Sequence, residues 1–176
     1  MIERVTFTGA SYLPDGPQID VPVSTLTSGG WTQCHTELYS NHLDDAQVDA
    51  IQEKCNKAKT FMACKEVGSD TLTLAAWANT ATVFAVTDDD PDCFDSCQSQ
   101  VEAGTRWYRN PLDWGFAAAD NSLYLDVGEI GDAYEPGTGG TRLSIIVNDY
   151  DGGYRCGETT YLYDGDNWER VFFHAN

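Results

Sequence analysis

The sequence predicts a mainly β protein: an antiparallel β-sandwich with one short α-helix over residues 44–55 and an extended N-terminal arm. Three observations carry this. Residues 60–87 hold few charges and alternate, with Thr71, Thr73, Ala75 and Trp77 interleaved with Leu72, Leu74, Ala76 and Ala78. Alternation of this kind turns one set of side chains into a core and the other toward water. Turn residues recur after residue 87 at roughly the 8–12 residue spacing of a sandwich or barrel. Five Trp, nine Tyr and 16 Gly suit short strands joined by tight turns.

A chain of 176 residues defaults to one domain, divided here into an arm, 1–29, and a β-sandwich domain, 30–176. In the arm, Val5, Phe7 and Ala10 suggest a short strand and Pro14-Asp15-Gly16-Pro17 a turn. Ile19, Val21 and Val23 alternate around Pro22, which restricts this strand to a sheet edge or to docking on another surface. The segment is too thin to fold alone, so it either adds an edge strand to the main sheet or clasps a neighbouring subunit. Gly29-Gly30 open the compact domain, and Trp31, Cys34, Leu38 and Tyr39 follow as a second strand or a strand with a turn.

The helix has agreeing local signals. Asp44 caps it, Gln47 completes a capping box, and Leu43 and Val48 form a hydrophobic staple. Val48, Ile51 and Cys55 share one face. Asp44, Asp45 and Asp49 lie at its positive end, Lys54 and Lys57 at its negative end. The hairpin follows, turning at Gly68-Ser69-Asp70, with Val83, Phe84 and Val86 continuing its second strand. A dense acidic loop occupies 88–95. Arg106-Trp107-Tyr108-Arg109 reads as a strand, residues 111–113 turn, and Trp114-Gly115-Phe116 begin another. Leu123, Leu125 and Val127 alternate with polar neighbours, residues 128–141 form a Gly-rich loop, and 143–147 is an apolar strand. Residues 149–153 carry a hairpin turn signal. Strands are expected at 154–156, 159–163 and 168–174, with Asp164-Gly165-Asp166-Asn167 between the last two.

The net charge of −18 repels phosphate and anionic lipid, which makes nucleic acid and membranes poor partners. No run is long enough to span a bilayer. Six cysteines in a β-rich chain point to disulfides and an oxidising environment, with 15 pairings open. The start, MIERVTFTGA, has no basic and apolar leader. Two expectations reconcile these facts: a chain released from a cytosol to work outside, as virion proteins do, or one whose targeting peptide is removed or lies elsewhere.

Among the acidic residues of 88–95, Asp88, Asp90 and Asp92 are the candidate metal ligands, and calcium is the cation that oxygen ligands of this kind take. Their order does not match an EF-hand loop, and a solvated anionic turn is the competing reading. Cys93 and Cys97, spaced C-x3-C, would need His35, His42 or His174 to build a zinc site. Structural zinc sites have two tight cysteine or histidine pairs, so a disulfide is the stronger reading. Cys34-His35 is no dyad, because neighbours on a strand face opposite ways. No G-x-S-x-G elbow, P-loop or G-x-G-x-x-G is present, and Gly137-Thr138-Gly139-Gly140 lacks the lysine of a phosphate loop. The aromatics exceed what one small core needs. Tyr134, Tyr150 and Tyr163 lie in or beside loops and are the candidate binding residues, since such rings suit sugar or protein surfaces.

The pattern from residue 30 onward resembles a cysteine-bearing β domain of secreted or surface-exposed proteins of bacteria and animals. The residues that carry it are Gly30-Trp31 with Cys34, Cys55, Phe61-Met62-Ala63-Cys64, Gly68-Ser69-Asp70-Thr71-Leu72-Thr73-Leu74-Ala75-Ala76, Trp107-Tyr108, Trp114-Gly115-Phe116 and Gly153-Tyr154-Arg155-Cys156-Gly157. They cover most of 30–170. The resemblance brings no catalytic residues. Where related members have a Cys-Trp-His step, this chain reads Leu143-Ser144-Ile145-Ile146, one cysteine fewer. Cys93 and Cys97 read as a local addition, and the arm lies outside the resemblance.

The leading expectation is a non-enzymatic structural or adhesion subunit of a virion or extracellular assembly, with the arm docking on neighbouring subunits or other structural proteins. The alternatives are a secreted monomeric module that binds a glycan, such as a cell-surface glycan, or a protein, and, as a third reading, a secreted hydrolase using carboxylates. Lys54, Lys57, Lys59 and Lys65 crowd one end of the hairpin in sequence and the acidic loop follows the other, a polarity that would align subunits head to tail.

Overall fold

The computed structural model describes residues 9–93, 97–121, 139–149 and 152–176. Among these, two five-stranded antiparallel sheets face each other. The first has the order β1-β4-β3-β10-β2, from β1 (Gln18–Pro22), β4 (Thr71–Asn79), β3 (Lys59–Glu66), β10 (Trp168–Ala175) and β2 (Thr32–Leu38). The second is a meander of β5 (Gln100–Glu102), β6 (Thr105–Arg109), β7 (Asp113–Ala118), β8 (Leu143–Ile146) and β9 (Arg155–Cys156). The sandwich expected from sequence is the observed fold. Among the described residues no helix is long and apolar enough to cross a membrane.

The hairpin β3–β4 stands at the centre of the first sheet, with Ala63 opposite Ala75 and Phe61 opposite Trp77. Both of its faces are buried. Met62, Cys64, Leu74, Ala76, Ala78 and Phe172 meet Trp107, Trp114, Phe116, Leu143 and Ile145 of the second sheet. Phe61, Ala63, Ala75, Val171 and Phe173 face the other way and are covered by Val21, Leu26 and Trp31, with Ala10 and Tyr12 packed alongside. The arm is therefore a third layer. Its backbone is held by two indoles of this face: Trp31 Nε1 donates to Tyr12 O at 2.9 Å and Trp77 Nε1 to Pro14 O at 2.7 Å. Ala10 N donates to Asn176 O at 3.0 Å, and Gly16 N to Ala103 O in the β5–β6 turn at 2.7 Å. Residues 9–29 thus lie on their own chain, and β1 adds the edge strand beside β4.

The expected helix is present as α2 (Asp45–Lys54), and its capping box is complete: Asp44 Oδ1 accepts from Gln47 N and Gln47 Oε1 from Asp44 N, each at 2.8 Å. Two further helices correct the expectation of one. Val23 opens α1 (Val23–Ser28), which turns Leu26 into the outer face of the first sheet. Val83 and Phe84 do not extend β4; they end α3 (Thr80–Phe84). That helix starts because Glu102, distant in sequence, accepts from Asn79 N at 2.9 Å and from the Thr82 hydroxyl. A cap supplied by another strand leaves no local signal. Residues 159–163 also fail to form a strand: Thr159 makes one bridge to Cys156, and Leu162–Asp164 is a 3-10 turn.

The cysteines pair as Cys34–Cys55, Cys64–Cys156 and Cys93–Cys97, with no free cysteine among the described residues. The first ties β2 to the end of α2. The second joins the two sheets through the core. Three disulfides fit an oxidising, extracellular setting.

Arg170 is wholly buried between β2 and β3. Its Nε donates to Glu37 Oε1 at 2.8 Å, its Nη2 to Asn41 O at 2.8 Å and its Nη1 to Gly152 O. Gly152 is required there, because a Cβ would stand 1.8 Å from Asn41 O. Burial pushes the Glu37 carboxyl up, but the His35 imidazole and the Arg170 guanidinium outweigh it and hold it below the usual range. The lysines do not form one corner. Lys59 and Lys65 begin and nearly end β3, roughly 20 Å apart at strand rise. Lys65 pairs with Glu169 at 2.6 Å, and Lys54 Nζ lies 3.5 Å from His35 Nδ1.

Two outcomes follow. Loop-closure entropy ranks the disulfides by separation, 92 residues for Cys64–Cys156, 21 for Cys34–Cys55 and 4 for Cys93–Cys97. Replacing each pair by alanines is expected to cost about 4–5, 3 and 2 kcal/mol in that order, read from urea unfolding; a reversed order would refute the ranking. For Glu37, a depressed folded pKa gives stability that is complete above the unfolded carboxyl value, about 4.3, and is lost as pH falls through the lower folded value. Glu37→Gln should cost about 3 kcal/mol at neutral pH by leaving Arg170 short of its counter-charge. It should also flatten the acid limb of the stability–pH curve.

Candidate functional site

The chain between Cys156 and β10 builds an open groove. Cys156 and Thr159 close a tight turn through Gly157, whose φ of 60° favours glycine. Leu162 then enters the core, with its N–H donating to Tyr154 O at 3.1 Å. To send Leu162 inward, Tyr161 takes a left-handed conformation, φ 58° and ψ 40°. A bulky residue there is strained by about 1–3 kcal/mol. Its ring is left 41 % exposed. It is not loose, since it meets Tyr154 edge-on at 5.3 Å and Tyr163 at 6.0 Å.

The groove has a volume of about 260 Å³ and is lined by Thr159, Thr160, Tyr161, Leu162, Asp164, Gly165, Asn167 and Trp168. Its floor is fixed: Asn167 O accepts from Val67 N at 2.9 Å and Trp168 O from Tyr39 N at 2.8 Å. Ser40 Oγ donates to Asp166 Oδ1 at 2.9 Å and steadies the 164–167 turn. Two aromatic rings, three hydroxyls counting that of Tyr161, one amide and one carboxylate thus border a shallow, solvent-open trough. Apolar ring faces beside a few fixed polar groups suit a ligand with CH faces and hydroxyl edges.

Of the tyrosines expected to bind, Tyr134 and Tyr150 lie outside the described residues, while Tyr163 is half-buried behind Tyr161. Tyr161 and Trp168 were not legible as site residues, because 159–163 reads as a strand and Trp168 as the start of the next. The signal present was the turn-rich run of 164–167 between two aromatics.

The acidic loop forms a second cleft of about 510 Å³, lined by Val86, Thr87, Asp88, Asp89, Asp90 and Gln98. Its carboxylates serve the backbone. Asp88 Oδ1 accepts from Asp90 N at 3.0 Å, Asp88 Oδ2 from Gln98 N at 2.8 Å and Asp90 Oδ1 from Asp92 N at 2.9 Å. Among the described residues the one group with three potential metal ligands in mutual reach is Asp88, Cys93 and Cys97. The disulfide between Cys93 and Cys97 removes the thiolates that a zinc site would need. A third, smaller cleft of about 180 Å³ lies between β2 and α2, where His35 Nε2 is 3.2 Å from Glu37 Oε1. The neighbouring Cys34 is bonded to Cys55 and is no nucleophile.

Comparison of the chain with protein-family models, with curated proteins and with solved structures returned no match. The resemblance drawn on the cysteine and tryptophan motifs gains no support from these comparisons, and the site stands on its own geometry.

The Asp88 carboxyl is held below its usual range by backbone N–H donors, Gln98 first and Asp90 second. Its caps should therefore persist as pH falls past the ordinary aspartate value, about 3.9, and open only below it. Hydrogen exchange at the Gln98 and Asp90 amides is expected to stay slow at pH 4 in the parent chain and to be fast in Asp88→Ala. Equal rates in both chains would show that the caps do not hold this loop.

Proposed function

We propose that this chain is a non-enzymatic extracellular module that binds a saccharide in the groove between Tyr161 and Trp168. The observation that carries the reading is the exposed Tyr161 ring, held in a strained left-handed conformation beside a tryptophan and hydrogen-bonding side chains. Backbone strain at a bulky residue persists where the surroundings impose it, and binding sites are where such strain gathers. Rings fixed by neighbouring rings lose little freedom when a flat sugar face stacks on them.

The reading as an assembly subunit, virion or otherwise, needs an arm free to dock on neighbours. Residues 9–29 instead cover their own sheet, which favours a self-contained module. The three disulfides suit a protein that works outside the cell.

The test is binding to an array of oligosaccharides, followed by calorimetry on the best of them. Tyr161→Ala should weaken binding at least tenfold, and Tyr161→Phe should retain most of it. Tyr161→Gly separates function from fold: glycine relieves the left-handed strain, so its melting temperature should not fall below that of Tyr161→Ala while binding is still lost. Full binding by Tyr161→Ala would sink the proposal.

A further inference from the structure

Resting on the saccharide reading above, we propose that the groove selects a cationic amino sugar, of the glucosamine type, over neutral and anionic sugars. Among the described residues Asp164 is the one charged residue that lines it. Tyr161 and Trp168 both line the same space, and the face of an aromatic ring attracts an ammonium group. An ammonium on a sugar stacked there would meet a carboxylate and ring faces together. An anionic sugar would meet a carboxylate with no cation to offset it.

The surroundings carry the same sign. Asp166 follows Asp164 by two residues in the same exposed turn, and the chain as a whole has a net charge of −18. The nearest lysine along the neighbouring strand is Lys65, beside Glu66, which pairs with Trp168. Alternation along β3 places Lys65 on the face opposite Cys64 and Trp168 on the side of Arg170 and Phe172, and Lys65 is engaged by Glu169 and by Ser69 O. Arg155 is buried, with its guanidinium 5.9 Å from the Tyr154 ring centroid. Among the described residues the charge that lines the groove is therefore a carboxylate's, which attracts cations most strongly at low salt.

The experiment compares oligomers of one length and linkage by calorimetry at low salt: glucosamine, N-acetylglucosamine, glucose and glucuronic acid. The glucosamine oligomer should bind about tenfold tighter than its N-acetylated counterpart, and the uronic acid weakest. Asp164→Asn should remove most of that preference, read as the ratio of the glucosamine to the N-acetylated oligomer's affinity in the same chain. Asp89→Asn, the same charge change in the distant acidic loop, should leave the preference intact. Equal or tighter binding of the neutral oligomers by the parent chain would overturn the inference and leave the saccharide reading standing. Equal loss of preference in Asp164→Asn and Asp89→Asn would also overturn it, because bulk charge would then account for the effect. If no oligomer of any charge bound, the saccharide reading itself would fall.

Discussion

Phe61 and Met62 are neighbours on β3, and Phe172 and Phe173 are neighbours on β10; all four are shut off from solvent. Neighbours on a strand point to opposite faces, so the first sheet must be covered twice. On one side the second sheet supplies Trp107, Trp114 and Phe116. On the other, among the described residues, Tyr12, Val21, Leu26 and Trp31 provide the cover. Each large apolar side chain buried this way contributes about 1.5–3 kcal/mol. The need to shield the second face accounts for α1, for the edge position of β1 and for the two indole bonds to the arm backbone.

Covering both faces strands polar groups, and buried arginines meet some of them by bridging separate elements. Arg170 gathers Glu37, Asn41 and Gly152, which locks the loops at one end of the sandwich to β10. Arg109 does similar work near α2: its Nη2 donates to Asp45 Oδ1 at 2.8 Å and its Nη1 to Phe84 O at 3.0 Å. Asn148, at φ 60°, donates to the other oxygen of Asp45 at 2.9 Å and to Pro111 O at 2.9 Å. Buried charge without such partners would cost several kcal/mol, so these contacts fix loop positions rather than add large net stability.

The groove is a by-product of the same packing. Leu162 is buried in the core, and its N–H is held by the carbonyl of the buried Tyr154. The backbone between Cys156 and Trp168 must therefore turn sharply, and Tyr161 takes the strain and is turned outward. A rigid, partly exposed ring beside Trp168 and Asp164 is thus anchored by the core itself. That coupling lets a small extracellular domain present a preorganised surface without a dedicated scaffold loop.

Signals contained within a few residues were legible from the sequence. The capping box at Asp44 and Gln47, the alternation of Leu72, Leu74, Ala76 and Ala78, and the turn at Gly68 each act locally, so the helix, the central hairpin and the sandwich class could be read directly. The even count of cysteines indicated disulfides, but not that Cys64 would reach Cys156 across 92 residues. Only the tertiary structure decided what depends on distant partners: the cap that Glu102 gives α3, the folding of the arm onto its own sheet, the separation of Lys59 from Lys65, and the outward turn of Tyr161. For the cap and the arm, the deciding contacts join residues far apart in the chain. Tyr161 shows this most plainly, for alternation alone makes it a strand residue, and the burial of Leu162 in the β-core makes it a wall of the groove.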